Sequence, residues 1–187
     1  MDCTRKYYAM KIAGLNRALE LFPINENLQI AAFIMFNDTE VTEAAAAELL
    51  AKVPEYDVIV TAECKGIPLA YEMARQAKKP YIVARKKPKL YMRDIISTEA
   101  DSITTAGVQS LCIGSNDVEI IRGKKVLIAD DVISSGGSLL AVEALVKAAG
   151  GIVAGKAAVL AEGDAAERKD IIFLEKLPLF DRNGEPL

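Results

Sequence analysis

Short apolar runs that alternate with helix-patterned segments constrain this chain more than any other feature. The runs "YDVIVTA" (56–62), "PYIVA" (80–84), "KVLIA" (125–129), "IVAGKAAVLA" (152–161) and "DIIFLEK" (170–176) are near-continuous in apolar residues. Between them lie helical patterns. One is "PLAYEMARQAKK" (68–79), with Pro68 in the favoured first helical position; another is 137–149, stopped by Gly150 and Gly151. Strands apolar on both faces and separated by helices predict an α/β fold with a doubly wound, mainly parallel sheet. A length of 187 residues fits one domain, 1–187.

The ends of the chain are less regular. Residues 5–22 carry apolar positions at helical spacing (Tyr8, Ile12, Leu15, Leu19, Phe22), which predicts a helix there. "QIAAFIMF" (29–36) reads as a buried strand. Asn37 and Asp38 then supply an N-cap for a helix over "TEVTEAAAAELLAKV" (39–53), which Pro54 ends. The segment 91–115 is rich in Thr, Ser and Ile and lacks a long helical pattern. It predicts an antiparallel ribbon between core units, either a flap or a plain surface hairpin.

Composition removes several function classes. The chain has no histidine, which excludes Ser-His and Cys-His catalysis, and its cysteines Cys3, Cys64 and Cys112 are far apart. A structural zinc site or a disulfide framework is not expected, and reduced thiols suit a cytoplasmic location. The net charge of −3 argues against nucleic acid as the main partner. No apolar run is long enough to span a bilayer, so no membrane association is expected.

The stretch "KVLIADDVISSGGSLL" (125–140) carries the chemistry. Asp130 and Asp131 follow an apolar strand, and paired acids repel each other unless a ligand or cation uses them. Carboxylates accept hydrogen bonds, and a ribose diol donates two. Ser134, Ser135, Gly136, Gly137 and Ser138 then open a helix, where small residues let unpaired N–H groups approach an anion. Together they suit a 5-phosphorylated ribose. Two upstream segments suit a second anion. "TAECKGIPLA" is another strand-end turn into a helix, and "RKKPKL" places Arg85, Lys86, Lys87 and Lys89 after a strand. The cationic run is either solvated or part of the site.

"VLIADDVISSGGSL" closely resembles the ribose-phosphate signature of the type I phosphoribosyltransferases. The upstream motifs resemble the purine branch of that family, the adenine and xanthine enzymes. The resemblance spans about 57–161 and fades in the N-terminal third. It implies the type I fold, with an N-terminal hood (1–55), a PRPP-binding core (56–162), a flap (91–115) and a C-terminal strand and tail (163–187). PRPP is 5-phosphoribosyl 1-diphosphate. By the resemblance, Asp130 and Asp131 hold its ribose hydroxyls and residues 134–138 wrap its 5-phosphate. Cys64, Lys65 and Gly66 form a diphosphate loop, with a non-proline cis peptide near residues 63–65. Arg85, Lys86 and Lys89 contact the diphosphate. Mg²⁺ arrives with PRPP near Asp130, without direct ligands from the chain.

The implied reaction passes the phosphoribosyl group to a purine, adenine first, and releases diphosphate. Glu99 and Asp101 on the flap are candidate proton acceptors or merely solvated acids. Phe22 and Phe180 are candidate clamps for the base or ordinary core residues. Cys64 reads otherwise as a small buried thiol. The resemblance further implies a homodimer. The alternatives are a xanthine- or hypoxanthine-specific enzyme, or a PRPP-sensing regulator of the same fold without catalysis.

Overall fold

The computed structural model describes residues 5–101 and 108–187. Its centre is a five-stranded sheet built from β4 (Val58–Ala62), β5 (Tyr81–Ala84), β8 (Lys125–Ile133), β9 (Ile152–Glu162) and β10 (Ile172–Leu177). The strand order is β10-β9-β8-β4-β5, and every pairing is parallel. The continuous apolar runs explain this directly. All five residues of β4 are buried, so both faces of the strand are covered.

Alternate residues of the strands feed two separate cores. Ile59 and Leu127 pack with Leu49 of α1 (Thr39–Leu50) and Met73 of α2 (Ile67–Ala77). Val58, Val60, Val126 and Ile128 pack with Leu139, Val142 and Leu145 of α4 (Gly137–Ala148). The short helix α3 (Ser115–Ile121) adds Val118 and Ile121 to that second core. The sheet is therefore wound on both sides. From β4 the chain moves outward to β5, whereas from β8 it moves the other way through β9 to β10. The order reverses between β4 and β8, which opens a crevice beyond their carboxyl ends.

The helix expected over 5–22 is instead a β-hairpin. β1 (Tyr7–Ile12) pairs antiparallel with β2 (Leu15–Pro23), with Ile12 opposite Leu15. Ala13 (φ 47°) and Gly14 (φ 81°) form the two-residue turn, both in the left-handed region such hairpins need. Burial along β1 alternates, with Tyr8, Met10 and Ile12 facing in. The inner residues of two paired strands imitate helical spacing when counted along the chain. β3 (Leu28–Ala31) and β11 (Phe180–Asp181) complete this second sheet in the order β1-β2-β3-β11. The strand expected over 29–36 thus ends at Ala31, where the chain leaves the sheet for the α1 cap. Asp38 provides that cap by accepting from the Val41 N–H at 3.2 Å.

The ribbon is present: β6 (Ile96–Asp101) pairs antiparallel with β7 (Val108–Ile113). Its base is anchored. Arg85 and Cys112 exchange backbone hydrogen bonds of 2.8 Å, and Leu111 and Ile113 are buried in the second core. β8 runs further than its apolar residues suggested. Its pairing with β9 continues through Asp130 to Ile133, so the acids lie within the strand and the turn starts at Ser134. Among the described residues, no helix is long and apolar enough to cross a membrane.

Candidate active site

The crevice between β4 and β8 is filled from both strand ends. After β4 the chain makes a cis peptide between Glu63 and Cys64, then turns through Lys65 and Gly66 into α2. Glycine is required at position 66. A Cβ there would stand 2.5 Å from Thr61 Oγ1 and 2.6 Å from Asp130 Oδ1. The start of α2 therefore presses on the Asp130 side chain, which brings the two motifs into one wall.

Lys65 Nζ donates to Asp131 Oδ2 at 2.8 Å. The Asp131 side chain is 3% exposed and the Lys65 side chain 49%, so the lysine reaches from the mouth to a buried acid. Asp130 accepts from the Asp131 backbone N–H at 2.9 Å. Burial, with the negative Asp131 beside it, pushes the Asp130 carboxyl up to about 8. Glu162, at the end of β9, is also pushed up by burial, opposed by Lys65 and reinforced by Asp131. Three carboxyls thus share one lysine. That is an electrostatic demand for a cation or for hydroxyl donors.

A cavity of about 400 Å³ opens over these groups, lined by Cys64, Lys65, Lys86, Asp130, Asp131 and Ser138. Ser110 and Leu111 of the ribbon close one side of it. A smaller hollow of about 60 Å³ adjoins it, formed by Ser134 to Leu139 and sharing Asp130 and Ser138. Gly136 (φ 84°) makes that bend and caps α4, whose first N–H groups face the hollow's end of the helix. The bend has the size and polarity for a phosphoryl group.

The cations after β5 separate into different roles. Lys86 lines the large cavity, and its backbone N–H donates to Glu63 Oε2 at 3.0 Å. That bond, aided by Lys89 and Arg85, holds the Glu63 carboxyl below its ordinary range. Arg85 lies 3.5 Å from Glu63 Oε1 and does not line the cavity. Lys89 is exposed, outside the lining residues.

Other expectations need correction. Phe180 is fully buried, with its ring 4.9 Å from that of Tyr8 in an edge-on pair, so it is a core residue and cannot clamp a base. Phe22 is exposed, but it lines a groove on the hood with Gln29 and Arg182, not the crevice. Cys64 is an exposed thiol in the cavity wall rather than a buried one, because the turn lifts it clear of the core. The side chains of Glu99 and Asp101 lie outside the described residues. Sequence reasoning missed Glu162. Its only signal is a lone acid closing the apolar run of β9.

The comparisons with known proteins agree with this geometry. A family model described as a phosphoribosyl transferase domain matches residues 35–182. Adenine phosphoribosyltransferase of Malacoplasma penetrans is 36% identical over 88 residues, covering 47% of this chain and 48% of that protein. The purine biosynthesis transcriptional repressor PurR of Bacillus subtilis is 32% identical over 85 residues, covering 46% of this chain and 29% of that protein. The chain thus spans about half or less of these relatives' lengths. The solved structure of adenine phosphoribosyltransferase from Thermoanaerobacter pseudethanolicus superposes with a TM-score of 0.71 at 25% identity, covering 84% of this chain and 95% of that one.

Proposed function

The chain belongs to the phosphoribosyl transferase family, and on that premise we propose that it transfers the 5-phosphoribosyl group of PRPP to a purine, adenine before hypoxanthine or xanthine. The observation that carries this reading is the junction of two hollows at Asp130 and Ser138. One hollow is walled by acids and lysines, and the other is a glycine bend at a helix start.

In this reading the bend over Ser134, Ser135, Gly136, Gly137 and Ser138 takes the 5-phosphate through backbone N–H groups. Asp130 and Asp131 accept from the ribose hydroxyls. Lys65 and Lys86 stabilise the negative charge of the departing diphosphate, with Cys64 and Gly66 shaping the loop and Arg85 and Lys89 flanking it. The C1–oxygen bond to diphosphate breaks, a purine nitrogen bonds to C1, and the purine proton passes to a nearby acid. Glu162 joins Glu99 and Asp101 as an acceptor. The ribbon excludes water that would otherwise attack the activated sugar.

Among the described residues, no group of three potential ligands could hold a metal. The paired acids still fit a cation whose remaining ligands come with the substrate, because two adjacent carboxylates repel each other and added positive charge relieves that repulsion. Mg²⁺ carried by PRPP would neutralise diphosphate charge there.

The base requires a face of its own. Phe36 is 44% exposed and precedes the α1 cap. Since α1 runs down into β4, its start stands at the carboxyl edge of the sheet, which makes Phe36 a better stacking candidate than Phe22. A homodimer in the cytoplasm belongs to the same proposal and rests on the family resemblance.

The test is diphosphate release from PRPP and Mg²⁺ with adenine, hypoxanthine, xanthine, guanine or orotate offered singly. Turnover with adenine is expected. A second reading, a PRPP sensor without catalysis, is favoured by the match to the PurR repressor. Tight PRPP binding without turnover on any base would establish it instead.

A further inference from the structure

Arg168 follows the 3-10 turn (Gly163–Glu167) that leaves β9. Asp170 grips one edge of its guanidinium. Nε donates to Asp170 Oδ1 at 2.9 Å and Nη2 donates to Asp170 Oδ2 at 2.7 Å. This fork leaves Nη1 for another acceptor, and none takes it among the described residues. Nη1 instead stands over the glycine bend: a Cβ built on Gly136 would lie 2.7 Å from it.

The grip is itself supported. Lys156 Nζ lies 3.1 Å from Asp170 Oδ2 and 2.7 Å from Glu143 Oε2 on α4. The chain Glu143–Lys156–Asp170–Arg168 thus fixes the guanidinium relative to the helix that the bend opens. An ordinary exposed ion pair contributes little and needs no such bracing. A planar guanidinium with one edge bound to a carboxylate and its free nitrogen over an anion-sized hollow is arranged to recognise a phosphate oxygen. The absence of a side chain at position 136 keeps the space between them open.

We propose that Arg168 is a further ligand of the sugar's terminal phosphate, reaching over the bend through Nη1, with Asp170 as its positioning residue. The inference rests on reading residues 134–138 as the phosphate bend. It adds a cation from a segment outside that motif, so that the phosphate is met by backbone N–H groups from one side and by a fixed charge from another.

The experiment is calorimetric titration of ribose 5-phosphate, and separately of Mg²⁺-diphosphate, into the wild type, Arg168→Gln, Arg168→Lys and Asp170→Asn. One charge-assisted hydrogen bond corresponds to about a 10- to 100-fold change in affinity. Arg168→Gln is expected to weaken ribose 5-phosphate by that factor and to leave diphosphate binding unchanged, with partial rescue by Arg168→Lys. Asp170→Asn, which keeps the arginine, is expected to raise the KM for PRPP while kcat is retained. Wild-type affinity for ribose 5-phosphate in both Arg168→Gln and Asp170→Asn overturns the inference and leaves the phosphate bend standing. Equal loss of both ligands in Arg168→Gln also overturns it, since that marks a general structural role. Failure of the wild type to bind ribose 5-phosphate overturns the bend and the inference together.

Discussion

Lys65 Nζ and Asp131 Oδ2, 2.8 Å apart, join the turn after β4 to the carboxyl end of β8 across the crevice. A sugar hydroxyl seated at Asp131 must share its carboxylate with this lysine. Lys65→Met leaves a buried carboxylate without its counter-charge, and it also removes a cation from the cavity. It is expected to cost about 1–3 kcal/mol of stability and to raise the KM for PRPP about 10-fold or more. Urea unfolding and steady-state kinetics check the two effects separately. An unchanged KM would remove Lys65 from the substrate site.

The neighbouring acid gives a pH prediction. Burial, with the Asp131 carboxylate beside it, pushes the Asp130 carboxyl of the folded protein up to about 8, from an ordinary value of 3.8. Between those values the folded protein binds a proton that the unfolded chain has released. The stability from this group is therefore full below about pH 4 and is lost as pH rises through 8, with a slope of at most about 1.4 kcal/mol per pH unit. Asp130→Asn is expected to flatten the stability profile between pH 5 and 8.5 and to raise the unfolding midpoint at the alkaline end. Parallel profiles for variant and wild type would contradict the buried, charge-crowded setting.

The parts of the fold that were legible share one physical property. β4 is buried along its whole length and β8 along most of it, so their burial is written as continuous apolar runs, and the flanking strands β5, β9 and β10 carry shorter runs of the same kind. The N-terminal hairpin is half exposed, and its strands mix polar and apolar positions that also satisfy a helical count. Only the Ala13-Gly14 turn distinguishes the two. α3 is seven residues long, too short for periodicity to show. Phe180 was invisible as a hood residue because its pairing with Gln29 spans most of the chain. In the site, the acids and the glycine bend were legible as a local motif. The Lys65–Asp131 pair and the role of Glu162 depend on strand order, which no local stretch encodes.

Cys64 and Cys112 provide a chemical probe of the cavity. Cys64 is exposed in the cavity wall. Cys112 is buried, donates to the Arg85 carbonyl at 3.3 Å, and has its thiol pushed up by burial. Iodoacetamide is expected to alkylate Cys64 well before Cys112 in the native protein, since Cys64 is accessible and burial both shields Cys112 and disfavours its thiolate. PRPP with Mg²⁺ is expected to protect Cys64. Mass spectrometry of labelled peptides reads both rates, and a Cys64 rate indifferent to PRPP would place the ligand elsewhere.

The two phenylalanines separate packing from recognition. Phe180 is fully buried against Tyr8, so Phe180→Ala is expected to lose about 3–5 kcal/mol of stability. Phe22 is 45% exposed, and Phe22→Ala is expected to stay within about 0.5 kcal/mol of wild type. Neither change is expected to alter the order of preference among purines. A changed order in Phe22→Ala would bring the hood groove back into the base site.

Gly66 and Gly136 need to be glycine for different reasons, and alanine at each distinguishes them. Gly66 has ordinary backbone angles (φ −73°, ψ −8°), so its requirement is purely steric. An added Cβ meets Thr61 Oγ1 at 2.5 Å, Asp130 Oδ1 at 2.6 Å and the Asp130 Cα at 3.1 Å. The last of these is backbone and cannot swing aside. Gly66→Ala is expected to cost about 1–3 kcal/mol and to displace Asp130, with loss of PRPP use. Gly136 lies at φ 84°, where a Cβ is strained in itself, and the atom it meets is Nη1 of the Arg168 side chain at 2.7 Å. Gly136→Ala is expected to cost about 1–2 kcal/mol from the backbone, plus whatever displacing Arg168 costs. Repeating it in the Arg168→Gln background removes the second contribution and keeps the first. The two substitutions should therefore couple in a double-mutant cycle on stability and on ribose 5-phosphate affinity. Strict additivity in both measurements would mean that the guanidinium does not stand over the bend in solution.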